Sequence, residues 1–255
     1  MSHSEQIVDQ FTRQAAQFAQ SPAVRSEDIL ERILRLAQCE PEDSALDIAS
    51  GPGALVCDLA QHARHATGID LTPAMLEQAR KTQHQRGVAN VSWDQGDVSA
   101  LPYADAAFDI VTCRFAFHHF PEPLPVLREM KRVCRPGGRI VVADTAPDAA
   151  KADAFNTMER LRDPSHARAL PEEDWLRLFA AASLPMPHIE RTRLPMDLDE
   201  FLARSHPPEG NEVRVRALFE AALLDDTLDV APRREQQALR FSIPVAILAV
   251  HIPYA

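Results

Sequence analysis

Leu46-Asp47-Ile48-Ala49-Ser50-Gly51-Pro52-Gly53 reads as a short apolar strand that runs into a turn of small residues and opens a helix. Glycine tolerates left-handed backbone and lets a ligand come close to the main chain, while the first turn of a helix offers free N–H groups. A turn of this kind lies at the carboxyl end of a first strand, where open α/β sheets bind ligands. Taken alone it has two readings, a cofactor cradle or a plain strand-to-helix connection.

The flanking sequence supplies the frame. Upstream, residues 4–19 and 26–39 show helical patterns, the second with Ser26 as N-cap and an apolar stripe of Ile29, Leu30, Ile33 and Leu34. Downstream, short apolar runs alternate with helical ones. Strands are expected at 45–49, 66–70, 91–95, 108–113 and 139–144, with helices at 54–62, 73–84 and 122–134 between them. Pro73 sits in the first turn of its helix, and Arg135-Pro136-Gly137-Gly138 stops a helix and turns into the fifth strand. Alternation of strand and helix signals a parallel sheet, and continuously apolar strands signal cover on both faces. Beyond residue 149 the pattern loosens: helices at 149–162, 172–182, 197–204 and 211–224, strands at 188–194 and 241–251. The expected fold class is therefore α/β, a doubly wound, seven-stranded, mostly parallel sheet. Its organisation is an N-terminal helical lid (1–40), a core (41–148), a helical cap insertion (149–183) and a C-terminal sheet completion with helices (184–255).

Bulk properties narrow the function. The 255 residues carry a formal charge of -10, which disfavours nucleic-acid partners, since phosphate binding rests on Lys and Arg. Four widely spaced cysteines, Cys39, Cys57, Cys113 and Cys134, form no metal or disulfide framework. The opening residues contain no apolar run of the signal-peptide kind, and the longest apolar stretch, 243–252, is about half a membrane span. A cytoplasmic protein without membrane insertion is expected. Among the ten histidines no HxxxH or HxH spacing backed by carboxylates stands out, so no metal is expected.

Two further strand ends carry acids. Asp70 closes the second strand about 20 residues beyond the turn, where an acidic group can accept both hydroxyls of a ribose; it can equally cap the helix that follows. In Gln95-Gly96-Asp97-Val98, Asp97 can accept an adenine amino group and Val98 can offer its N–H to the ring; the plain alternative is a turn aspartate. Three acceptor-bearing strand ends in order point to an adenosine cofactor. A dinucleotide fingerprint fits poorly, because Val56 occupies the third small-residue position counted from Gly51 and Gly53.

With these motifs, LDIASGPG, GIDLTPAML, GDVSALPYADAAFDIVTCRFAFHHF and LREMKRVCRPGGRIVVAD, the sequence resembles the Rossmann-like class I S-adenosylmethionine (SAM)-dependent methyltransferases. It is most similar to the branch that includes the ubiquinone/menaquinone C-methyltransferases. The resemblance runs from about residue 7 to 184. It implies SAM as cofactor, S-adenosylhomocysteine as product, and a small-molecule acceptor, aromatic or quinone-like, methylated at oxygen, carbon or nitrogen. It implies that Asp47, Ala49, Ser50, Gly51 and Gly53 shape the pocket for the methionine part, that Asp70 binds ribose, and that Leu71 and Met75 line the adenosine side. Asp97 and Val98 would hold adenine, with Arg114 and Phe115 near the methionine end. Ala49-Ser50 departs from the family's usual Gly-Cys; both replacements are small enough for the turn. The segment 11–18 resembles the family's lid, with Phe18 against the site, or else an amphipathic helix packed on the core.

Methyl transfer is an in-line displacement in which alignment and water exclusion do much, so a general base is optional. His118 and His119, after the fourth strand, are the base candidates, at most one of them facing the cleft. His166, in Arg162-Asp163-Pro164-Ser165-His166, is a candidate substrate contact or a helix-ending turn residue, and His119 is a second substrate contact. His206-Pro207-Pro208 and Arg233-Arg234 read as surface loop. Other readings of the same fold are a SAM-binding cyclase or decarboxylase, a non-catalytic SAM-binding protein and, more distantly, an NAD-dependent oxidoreductase. A homodimer is compatible with all of them.

Overall fold

A computed structural model of the chain describes residues 2–21, 24 and 26–254. Seven strands form the body of one sheet: β1 (Ser44–Ile48), β2 (His65–Asp70), β3 (Val91–Gln95), β4 (Phe108–Arg114), β5 (Cys134–Thr145), β6 (His188–Asp197) and β8 (Ala238–His251), in the order β3-β2-β1-β4-β5-β8-β6. The first five pair in parallel, and β8 runs antiparallel between β5 and β6. An eighth strand, β7 (Arg233–Glu235), pairs with the start of β8 off this path. Arg233 and Arg234 thus belong to an edge hairpin rather than a loop. Three charged, exposed residues have no apolar side to mark them as a strand.

The interior strands are apolar at successive positions because both faces are covered. Ala45, Ile110, Val141 and Ile247 point into one core, with α2 (Glu27–Ala37), α3 (Ala54–Leu59), α6 (Ala152–Arg162), α8 (Leu198–Ser205) and α9 (Asn211–Asp225). Their neighbours Leu46, Val111, Val142 and Leu248 point into the other, with α5 (Pro123–Val133) and α7 (Glu172–Ala181). Among the described residues, further helices are α1 (His3–Phe18), α4 (Pro73–Arg86) and a 3-10 turn at Phe117–His119.

Two segment boundaries move. Within 1–40, α2 buries Ile29, Leu30 and Ile33 under the sheet, leaving α1 as the element that covers the strand ends. Within 149–183, Trp175 and Phe179 of α7 are core residues of the sheet layer, so the part that reaches the strand ends is α6 with the turn after it. The Arg135–Gly138 turn is a bulge in β5: Cys134 still pairs with Phe108, and pairing resumes at Ile110 and Arg139.

Candidate active site

The carboxyl ends of β1, β2, β3 and β4 meet α1 around a cavity of about 500 Å³. Its floor is the turn after β1. Ala49, Gly51 and Gly53 have φ of +49°, +53° and +77°, so three of five consecutive residues are left-handed. The turn is held by Ser50 N–H donating to the Ile69 carbonyl at 3.0 Å. For alanine this conformation costs roughly 1–2 kcal/mol. The departure at Ala49 is therefore a matter of backbone strain more than of volume.

Gly53 does not line the cavity. It caps α3, and a Cβ there would fall 2.9 Å from the Ala79 Cβ and collide with the Trp93 ring. Gly53 is a packing position, one that short-range reading merged with the cradle. Trp93 itself carries no motif; its indole also fills the space beside Gly68 and donates to Gln83 Oε1 at 2.8 Å.

Asp47, one residue before the end of β1, pairs with Thr112 of β4, whose hydroxyl donates to Oδ1 at 2.7 Å. Burial pushes the Asp47 carboxyl up from 3.8 to about 7, with the Thr112 hydrogen bond and Arg114 pulling the other way. Asp70 accepts from Gly51 N–H and Thr72 N–H, both at 2.8 Å, so it ties the first turn to the second. Burial raises its pKa despite these bonds. Each carboxylate oxygen keeps a further lone pair for a ligand. Asp97 closes an Asx turn by accepting from Ser99 N–H at 2.8 Å. Leu71, Met75, Val98, Arg114 and Phe115 complete the wall, and Phe18, Phe11 and Ile7 of α1 cover it. Burial lowers the pKa of Arg114, with Asp47 opposing the shift. Phe115 is left-handed at φ +53°, a rare state for a bulky residue. The cavity therefore gathers every cofactor-binding candidate except Gly53.

These residues fit SAM. The Asp47, Asp70 and Asp97 carboxylates and the Arg114 guanidinium of its wall match a molecule with an ammonium, a carboxylate, a ribose and an adenine. Ser50 Oγ lies buried in the wall with no partner, an orphan that a polar ligand would satisfy.

The histidines sit at the far side. His119 lines the main cavity and also a smaller chamber of about 60 Å³, together with Phe11, Phe18 and Phe115. His118 and His166 line only the smaller one. The tautomer of His119 follows from its partners. Ser165 Oγ donates its hydrogen to Asp163 Oδ1 at 2.6 Å, so both Ser165 Oγ and the Ser165 carbonyl can only accept from His119 Nδ1, at 3.1 and 3.0 Å. Nδ1 carries the hydrogen and Nε2 a bare lone pair. Burial, then the neighbouring His118, pull the His119 pKa down to about 4. His118 behaves oppositely: burial lowers its pKa, but the Asp144 carboxylate at 2.6 Å from Nδ1 more than reverses this, and the net shift is upward. The Asp144 carboxylate favours the charged form of His118, whereas His119 keeps a free Nε2 lone pair.

Among the described residues, no three His, Cys, Asp or Glu side chains are grouped to hold a metal ion, and no helix is long and apolar enough to cross a membrane.

Comparison with known proteins agrees with this geometry. Residues 46–142 match a methyltransferase domain family. The uncharacterized methyltransferase YcgJ of Bacillus subtilis is 32% identical over 207 residues, 80% of this chain and 82% of that protein. A crystal structure of YcgJ superposes with a TM-score of 0.80 over 89% of this chain at 28% identity. The demethylmenaquinone methyltransferase of Deinococcus radiodurans is 38% identical, over 41% of this chain and 44% of its own length. The strand-end cavity and these relatives together place the chain in the family of class I SAM-dependent methyltransferases, to which it is linked by its similarity to YcgJ and to ubiquinone/menaquinone methyltransferases.

Proposed function

We propose that this methyltransferase acts on a small aromatic or quinone-like acceptor that enters beneath α1 and meets the cofactor at His119. The observation that carries the proposal is the wall shared by the two cavities: Phe11, Phe18, Phe115 and His119 face both. Three aromatic rings around one hydrogen-bond acceptor suit a planar ring bearing a hydroxyl. The similarity to demethylmenaquinone methyltransferases points the same way.

In this reading Asp70 accepts the ribose hydroxyls, Asp97 and Val98 hold adenine, and Arg114 pairs with the methionine carboxylate. Asp47, ionised by the arriving cation, receives the ammonium. SAM, when bound, supplies an electrophilic methyl group on a sulfonium. The chain aligns and dries the reactants: α1 is fastened over the strand ends by Gln10 Nε2 donating to the Ser205 carbonyl at 2.6 Å and by His3 Nε2 against the His119 carbonyl at 2.7 Å. His119 Nε2 accepts a hydrogen bond from the acceptor and aims the reacting atom. A pKa near 4 is too low for strong proton abstraction at neutral pH, so aiming outweighs base catalysis. Ser165 and Asp163 hold the ring in that tautomer.

The test is S-adenosylhomocysteine formation with a panel of phenols, hydroquinones and naphthoquinols. Turnover above the acceptor-free background is expected with at least one ring-hydroxyl compound. Tight SAM binding with no turnover across ring compounds, but turnover with aliphatic amines or alcohols, would overturn the acceptor class.

A further inference from the structure

The smaller chamber has an uneven supply of hydrogen-bonding groups. Of the buried side-chain polar atoms without a partner among the described residues, three line it: Gln14 Nε2, His166 Nδ1 and Arg204 Nε. Gln14 and Arg204 can only donate there. His166 can only accept. Asn156 Nδ2 donates to the carbonyls of Ala152 and Ala169, so Asn156 Oδ1 is the acceptor for His166 Nε2–H at 2.7 Å. The His166 hydrogen is thereby placed on Nε2, and Nδ1 keeps a lone pair.

The charges are uneven too. Glu159 and Asp163, two of the acids acting on Arg204, are both taken by Arg162, at 2.6 and 3.8 Å. His118 is paired with Asp144. Arg204 is left between the Phe18 and Phe201 rings, at 5.8 and 5.7 Å from their centroids, with its Nε unmet. Burial and the adjacent Arg162 draw its pKa down to about 10, so the folded chain holds this cation at a cost. Arg204 is half-buried, and its covered Nε faces no internal acceptor, a position that an anion in the chamber would satisfy.

We infer that the chamber receives the acidic end of the methyl acceptor, an oxyanion of carboxylate or phenolate type set against Arg204 and Gln14, with an adjacent hydroxyl donating to His166. The inference rests on the methyltransferase reading of the larger cavity and names its substrate class: a small aromatic acid whose ring lies along Phe11, Phe18 and Phe115. The volume of about 60 Å³ admits one polar end of such a molecule, not its body.

The test uses the full chain saturated with S-adenosylhomocysteine. Salicylate, benzoate, phenol and benzyl alcohol are titrated by calorimetry at pH 7 and pH 10, on the wild type and on Arg204→Met. The expected result is that salicylate or benzoate binds at least tenfold more tightly than benzyl alcohol and that Arg204→Met removes the difference. A carboxylate source gives this in full at pH 7 and more weakly at pH 10, where Arg204 itself begins to lose its charge; a phenolate source gives it for phenol and only at pH 10. In parallel, Arg204→Met is expected to leave the melting temperature of the saturated protein unchanged or higher, because no internal ion pair is lost. Acids that bind no better than benzyl alcohol at either pH overturn the inference, the orphan atoms then being served by water. A lower melting temperature overturns it as well, since Arg204 would then be a structural cation. Failure to bind S-adenosylhomocysteine would instead strike the methyltransferase reading itself, before any acid is added.

Discussion

Replacing Asp47 with asparagine should make the empty protein more stable and the cofactor site weaker, with both effects set by one buried charge. Asp47 is 3% exposed, and its carboxyl titrates at about 7 instead of 3.8. The folded-state pKa is raised, so between pH 4 and 7 the unfolded chain has released this proton while the folded chain retains it. Stability therefore falls as pH rises through that window, and the full penalty stands above pH 7. A shift of about three units corresponds to about 4 kcal/mol as an upper bound. Asparagine keeps the Oδ1 that accepts from Thr112 and removes the charge, but it also deprives Arg114 of a nearby anion, which returns part of the gain. The net expectation is that Asp47→Asn stabilises the apo protein by about 1–3 kcal/mol at pH 8 and by nearly nothing at pH 4. In the same variant SAM affinity should fall by about 1.5–3 kcal/mol, the worth of a hydrogen bond to a charged group. Urea unfolding at several pH values, with calorimetric titration of SAM, measures both. A stability difference that is flat from pH 4 to 8, or that favours the wild type at pH 8, refutes the reasoning: Asp47 would then not be an uncompensated buried acid.

Three further outcomes are expected. Asp70→Ala should weaken S-adenosylhomocysteine binding by about 1–3 kcal/mol, because Gly51 and Thr72 N–H lose their shared acceptor as well as the ribose contact; unchanged affinity in calorimetry would remove Asp70 from the site. His119→Gln should hold S-adenosylhomocysteine affinity within about twofold while turnover drops about a hundredfold, the usual scale for a lost positioning contact; a parallel loss of cofactor binding would show that the ring supports the cavity itself. Ala49→Gly should raise stability by about 0.5–1 kcal/mol, since relief of the left-handed strain exceeds the extra unfolded-state entropy of glycine; a lower melting temperature would contradict the strain.

What the sequence made legible is what short-range rules govern. Strands buried on both faces must be apolar at every position, and Ala45-Leu46, Ile110-Val111, Val141-Val142 and Ile247-Leu248 are such pairs. The three acids at successive strand ends could be found because each follows its strand by counting alone. Roles that depend on distant packing were out of reach. Gly53 and Gly51 look alike in a motif, yet only the first faces Trp93, 40 residues on. The 165–166 turn and the His118-His119 pair meet across 46 residues, so the tautomer of His119 could not be read from either segment. Arg204 had no motif, because its meaning is the absence of a partner, and that appears only when Arg162 is seen to hold both acids. Spacing did not separate α2, which buries Ile29, Leu30 and Ile33 in the core, from α1, whose buried residues are Gln10, Gln14 and Ala15 and which bonds to Ser205 and His119.

Several unfavourable features meet at the site. Left-handed Ala49 and Phe115, the high-pKa Asp47, the orphan Ser50 hydroxyl and the unmet Arg204 Nε all border the two connected cavities, although left-handed residues such as Gln38 and Ser183 and orphan atoms such as Trp175 Nε1 also occur elsewhere. Each costs on the order of 1–3 kcal/mol, a sum comparable with a sizeable part of a domain's net stability. Ligands of the right charge would relieve these costs. A cation beside Asp47 restores its ordinary ionisation, and an anion beside Arg204 does the same for the guanidinium. The two cavities then behave as one device of opposite halves, the first stabilised by a positively charged cofactor and the second by a negatively charged acceptor. Both ligands would lie against α1, so each should tighten the other. The coupling is reciprocal by necessity: a salicylate affinity that does not change when S-adenosylhomocysteine is added would show that the halves are independent and that α1 is not their common element.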